Sequence, residues 1–252
     1  MTSQIFYLEL AQNVKKYIYS IQKQVYSDMI QGKLFWLKKI IQIWHKSSSN
    51  IITTNYDLFI EQALETFIKI CYKNAYKYPL LDPLTNKKID TSLSKTLSIY
   101  KVHGSMNWLY SGKLYSYESP IYCDYTICDE CNKENINKIE EIMFNRHLLM
   151  LPAPVYKNRF LNNKIIRDNW SSSRKIIHNS KNIYCIGFSF SKADKHLIDF
   201  LFNTNKISKK NIYIINLDKN VFNRCKNMLN SSYKIEFLYN DENPINSFIN
   251  NY

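Results

Sequence analysis

Apolar residues recur at helical spacing through the first part of the chain, with Val14, Tyr17, Ile18 and Ile21 falling on one face. Residues 1–46 therefore read as helix. A second stretch runs from Tyr26 to Trp44, and Gly32 offers a break. After the polar loop Ser47–Asn50 the pattern changes. Ile51-Ile52-Thr53-Thr54 is short and β-branched, which predicts a strand. It ends in Asn55-Tyr56-Asp57, and a helix is expected from about Leu58 to Tyr72, with Asp57 placed to cap it.

Leu80 to Leu97 is irregular, and Leu97 to Val102 is a second strand, closed by His103-Gly104-Ser105. Residues 111–135 are polar, aromatic and Cys-containing, and look inserted. A helix follows from Ile136 to Asn145, then a short apolar run, Leu148 to Leu151, stopped by Pro152 and Pro154. The helix Asn162–His178 leads into Asn182–Gly187, read as a buried strand. Ser189 to Ala193 is a turn, and Asp194 caps a helix over Lys195–Phe202. Ile212 to Asn216 is the last clear strand. A helix of about ten residues follows Asp218, and Ile235–Tyr239 reads as an edge strand.

Strands alternate with helices, and most strands are continuous apolar runs. That pattern predicts an α/β fold with a parallel sheet and helices on both faces, formed by residues 1–252 as a single domain with a small insert. In such sheets ligands bind at the carboxyl ends of the strands. The polar signals fall there: Asn55 and Asp57, His103, Ser189, Asn216 and Asp218. Asn can donate and accept, which suits a sugar hydroxyl or a water. Asp57 alone reads more readily as a helix cap. His103, followed by Gly104, can serve as a general base near neutral pH.

A net charge of +13 invites a nucleic-acid partner. Only five of the 34 basic residues are Arg, however, and no basic run exceeds two residues. A solvated Lys-rich surface accounts for the charge better than a groove reader does. No apolar run is long enough to span a bilayer, and Met1–Leu10 lacks the pattern of a signal peptide, so a cytoplasmic protein without a membrane partner is expected. The six cysteines are not expected to form a disulfide framework. Cys71, Cys185 and Cys225 read as core residues, and only Cys123, Cys128 and Cys131 are close enough to form a cluster.

Thr53-Thr54-Asn55-Tyr56-Asp57 after one strand, and Val102-His103-Gly104-Ser105 at the end of another, resemble the sirtuin-like family of NAD-consuming proteins. Ile186-Gly187-Phe188-Ser189 followed by Asp194, and Ile215-Asn216-Leu217-Asp218, resemble later motifs of that family in the same order. The resemblance covers roughly residues 50–220 and is closest to the bacterial, phage-defence-associated branch. It implies a Rossmann-like sheet and cleavage of the nicotinamide–ribose bond of NAD, to nicotinamide and ADP-ribose. Asn55 would orient the ribose and the attacking water, and His103 would accept a proton. Thr54, Asp57, Gly187, Ser189, Asn216 and Asp218 would hold NAD, which is the substrate. The resemblance also admits a non-catalytic nucleotide- or partner-binding module, acting as a homo-oligomer or on a partner chain, and an NAD-dependent protein deacylase.

This chain departs from the family pattern in three places. No strand with a Gly-rich, phosphate-cradling turn precedes Asn50, so the first βα unit is missing from the pattern. The family's zinc module uses two Cys-x-x-Cys pairs. Here Cys128 and Cys131 make one pair, Cys123 is a third candidate, and His147 is the nearest fourth. A complete tetrahedral site is not expected; a degenerate zinc-ribbon-like insert is. Finally, Leu151–Lys157 does not resemble the peptide-binding strand of deacylases, which favours small-molecule hydrolysis. Trp108, five residues past His103, is the tryptophan expected to touch ligand.

Overall fold

A computed structural model describes residues 2–91, 96–110, 120–126, 133–143, 147–150, 163–203, 210–229, 231–238 and 242–251. Within it the chain divides into two compact units, Met1–Asn169 and Trp170–Tyr252.

The first unit opens with two helices, α1 (Thr2–Ile30) and α2 (Phe35–Lys46). Gly32 separates them. Its φ of +72° is a left-handed conformation that L side chains resist. The Gly32 N–H donates to the Met29 carbonyl, and the Lys33 N–H donates to the Asp28 carbonyl, which closes the helix as a Schellman motif. Tyr26–Ile30 therefore belongs to the first helix rather than the second. Leu37, Ile40 and Ile41 bury one face of α2.

Strand β1 (Asn50–Thr53) pairs in parallel with β2 (Ser98–Lys101), joined by α3 (Phe59–Ile68) and a 3-10 turn at Tyr72–Ala75. The helix after Asp57 is thus shorter than its apolar pattern suggests. Lys69 ends it in a left-handed conformation, at φ 64°. A second sheet is antiparallel: β3 (Gly104–Tyr110) lies between β4 (Ile121–Cys123) and β5 (His147–Met150). This sheet departs from the expected all-parallel arrangement, and β3 was not anticipated. The signal was present, because Met106, Trp108 and Tyr110 alternate with Ser105, Asn107 and Leu109 at the strand period of two. All seven β3 residues are buried, as is the β4 pairing of Trp108 with Cys123. Helix α4 (Lys133–Met143) precedes β5.

Helix α5 (Lys164–Asn179) leads into the second unit, whose parallel sheet has the order β6 (Asn182–Ile186), β7 (Lys210–Ile215), β8 (Tyr233–Phe237). Helices α6 (Lys195–Phe202) and α7 (Asn220–Met228) make the two crossovers, and α8 (Pro244–Asn251) ends the chain. These are the βαβ units that the alternation of patterns predicts. β7 is central and carries the buried Ile212, Ile214 and Ile215. β6, read as buried, is instead a half-exposed outer strand, with Tyr184 39% exposed and stacked on Tyr213 at 5.0 Å.

Lys210 shows why a lysine can begin a central strand. Its ammonium donates to the carbonyls of Ile177 (3.1 Å), Ser180 (2.8 Å) and His178, capping the end of α5. Burial holds that ammonium below its usual lysine value. Lys210→Met strands these carbonyls, and urea denaturation should read a loss of about 1–3 kcal/mol. Among the described residues, no helix is long and apolar enough to cross a membrane.

Candidate functional site

The polar strand ends of the first unit meet because β1 and β2 run parallel. Thr53 pairs with Lys101, and the Val102 N–H donates to the Thr53 carbonyl at 3.1 Å. The same register carries the segment starting at Asn55 alongside the one starting at His103. Thr53 Oγ1 accepts the Asn55 N–H at 3.1 Å, which turns the chain out of the strand and leaves Asn55 exposed. Thr54 is half-buried at the strand end. Asp57 Oδ1 accepts the Phe59 N–H at 3.1 Å, so this carboxylate serves the start of α3, as its cap reading predicts.

His103 sits in the tight turn between β2 and β3, 8% exposed, with its ring 6.3 Å from that of Tyr56. Gly104 follows at φ +83°, which lets the chain reverse directly into β3. The Met106 N–H then returns to the Tyr56 carbonyl at 3.0 Å and ties β3 to the Asn55 turn.

Two charged residues that the sequence reading did not single out lie beneath this turn. Lys101 is 0% exposed and Glu61 1% exposed, and Lys101 Nζ stands 2.9 Å from Glu61 Oε1. The Lys101 ammonium also reaches the carbonyls of Tyr56, at 3.5 Å, and Asp57. The Tyr76 hydroxyl donates to Glu61 Oε1 at 2.8 Å, and Asn169 Nδ2 donates to the Lys101 carbonyl at 2.7 Å. The available signal was charge out of pattern: a lysine within Ile99-Tyr100-Lys101-Val102, and a glutamate in the first turn of an apolar helix.

In the second unit, the loops after β6 and β7 are tied to one another. Gly187 turns at φ +66° with open space where a Cβ would stand. Asn216 Nδ2 donates to the Phe188 carbonyl at 3.3 Å, while Asn216 Oδ1 accepts the Asp218 N–H at 3.0 Å. Each of those side-chain atoms keeps capacity for one further bond. Arg224, absent from the sequence reading, donates through Nη2 to Asp218 Oδ2 at 2.7 Å and through Nε to the Ser189 carbonyl at 2.9 Å. Its hydrogen bond holds the Asp218 carboxyl below its usual value. Ser189 thus contributes its backbone to this arrangement. Asp194 precedes α6 without a side-chain capping bond to it; Ser191 accepts the Ala193 N–H at 3.1 Å and caps the 3-10 turn Lys192–Asp194 just before.

Several other expectations change. Trp108 is fully buried and packs edge-on against Tyr76 and Tyr78, at 5.8 and 5.1 Å between centroids, so it is core rather than ligand wall. Cys71 is buried, as expected, but disulfide-bonded. Cys185 and Cys225 are free and buried. Burial pushes the Cys123 thiol well above its usual value, and Asn107 Nδ2 lies 3.6 Å from its sulfur. Cys128, Cys131 and the segment Leu151–Lys157 lie outside the described residues. Among the described residues, no group of three or more His, Cys, Asp or Glu could hold a metal.

Each unit contains a parallel βαβ arrangement with polar residues just past its strand ends, a mixed α/β architecture consistent with the Rossmann-like class. The chain belongs to the SIR2-like domain family, whose profile matches residues 49–238. No curated protein and no solved structure matches it. SIR2-like domains use NAD, so an NAD-related function follows for this chain.

Proposed function

We propose that this protein is an NAD hydrolase that cleaves the nicotinamide–ribose bond, giving nicotinamide and ADP-ribose. The observation that carries the reading is the parallel register of β1 and β2, which sets the Asn55 turn beside His103. An amide that both donates and accepts can hold a ribose hydroxyl and a water together. An imidazole nearby can take the proton that the water releases.

The bond between ribose C1′ and the nicotinamide nitrogen breaks, and its electron pair leaves with nicotinamide. The water oxygen bonds to C1′, and its proton passes to His103. The overall balance is NAD and water in; nicotinamide, ADP-ribose and a proton out. Asn55 and His103 supply position and one base, and this step asks for no redox change. Thr54, Asp57, Gly187, Ser189, Asn216 and Asp218 are assigned to NAD binding by the family resemblance, with Asn216 at the adenosine ribose. That resemblance also supports a role in bacterial defence against phage, in the cytoplasm.

The test is direct. Purified protein is incubated with NAD, and nicotinamide release is followed by chromatography. Wild type is expected to release nicotinamide, and Asn55→Ala to lose at least about 100-fold in rate, the scale of one misplaced reacting group. Turnover equal in the two proteins removes Asn55 from the chemistry. Binding of NAD without turnover in wild type favours the non-catalytic module instead.

A further inference from the structure

We infer that Lys101 is a positioning residue, whose buried ammonium locks the Asn55–Asp57 turn in register with His103. The inference rests on Asn55 and His103 being the reacting pair. Lys101 ends β2, two residues before His103 in the turn that follows, while its side chain crosses to the turn that follows β1. One residue therefore joins the two halves of the site, by backbone on one side and by side chain on the other.

The bonding pattern separates this role from a plain ion pair. An ammonium has three donors. One goes to Glu61 and two go to the backbone carbonyls of Tyr56 and Asp57. In a trans peptide the N–H points opposite to the C=O. Drawing the Tyr56 carbonyl inward therefore turns the Asp57 N–H away from the buried cation. The next peptide is held at both ends, because the Leu58 N–H donates to Gln22 Oε1 of α1 at 3.1 Å. Glu61 cannot follow a drifting lysine, since the Tyr76 hydroxyl holds the same carboxylate oxygen. Asn169 holds the Lys101 carbonyl in turn. Stability alone gives little reason to keep such a pair, because apolar replacements of buried ion pairs are often neutral or stabilising. The network instead fixes the turn that presents Asn55.

The test replaces the whole network with apolar side chains, Glu61→Leu with Tyr76→Phe and Lys101→Met, so that no charge or hydroxyl is stranded. The readouts are cooperative unfolding, amide hydrogen exchange at Leu58 and Met106, and kcat and KM for nicotinamide release. The expected result is a folded variant whose Leu58 amide exchanges at least about tenfold faster and whose kcat falls about 100-fold, with KM changed less than about threefold. A folded variant with wild-type exchange and wild-type kcat overturns the inference. Should wild type release no nicotinamide, the hydrolase reading fails, and amide exchange alone decides whether Lys101 locks the turn. Should the variant fail to fold, exchange in wild type decides. Leu58 and Met106 among the most slowly exchanging amides support the lock, and exchange at the rate of exposed loop amides overturns it.

Discussion

His103→Ala is expected to lower kcat for nicotinamide release by about 10²–10⁴-fold, the usual contribution of a general base. KM should move far less, because the imidazole is asked to act on a proton that is in transfer only at the transition state. The fold should survive. The backbone of this turn is held by groups other than the imidazole: the Val102 N–H on the Thr53 carbonyl, the left-handed Gly104, and the Met106 N–H on the Tyr56 carbonyl. The His103 ring lies 6.3 Å from that of Tyr56. A thermal melt within a few degrees of wild type, together with a kinetic loss of this size, is the expected pair of results. A variant that keeps wild-type kcat shows that another group accepts the proton. A variant that loses turnover only because it has unfolded shows that His103 is a packing residue.

The largest effect on stability is expected from Glu61→Leu. This single change leaves the Lys101 ammonium, 0% exposed, buried without its counter-ion. Breaking a buried pair in this way costs about 3–5 kcal/mol. At roughly 2–4 °C per kcal/mol for a chain of this size, the melting temperature should fall by about 6–20 °C. The Tyr76 hydroxyl loses its acceptor at the same time, which adds to the loss. Differential scanning calorimetry checks both. Adding Lys101→Met and Tyr76→Phe should recover part of the lost stability: no charge then remains buried unpaired, while the Asp57 carbonyl loses its ammonium donor. Equal stability of the single variant and wild type would mean that Lys101 finds water or another anion, and the buried pair would lose its structural importance.

Three features were legible in the chain for local reasons. The first is the break at Gly32, where a left-handed residue closes a helix. The second is the run of βα alternation, because each strand and helix carries its own period. The third is the pair of polar strand ends at Asn55 and His103, because a polar residue at the end of an apolar run stands out by itself. The Asp57 cap was also legible, since an Asx side chain bonds a backbone N–H only two residues on. Where reading failed, the decisive partner lay far along the chain. β3 was missed because Gly104 directly after His103 looked like a stop, whereas the partner strands β4 and β5 turn it into the centre of an antiparallel sheet. Trp108 looked available to a ligand until Tyr76 and Tyr78 enclosed it.

The sequence by itself determined most of the element types, β3 excepted, the residues at the strand ends and the family to which the chain belongs. These depend on period, turn chemistry and motif order, which are properties of neighbours along the chain. Only the tertiary structure decided that Lys101 reaches back across 44 positions to the Asp57 carbonyl, that Glu61 meets it from α3, and that Arg224 joins the loops after β6 and β7. A long charged side chain reads as solvated surface in a sequence. Burial without a partner is what makes it costly, and its partners are chosen by strand register and helix placement.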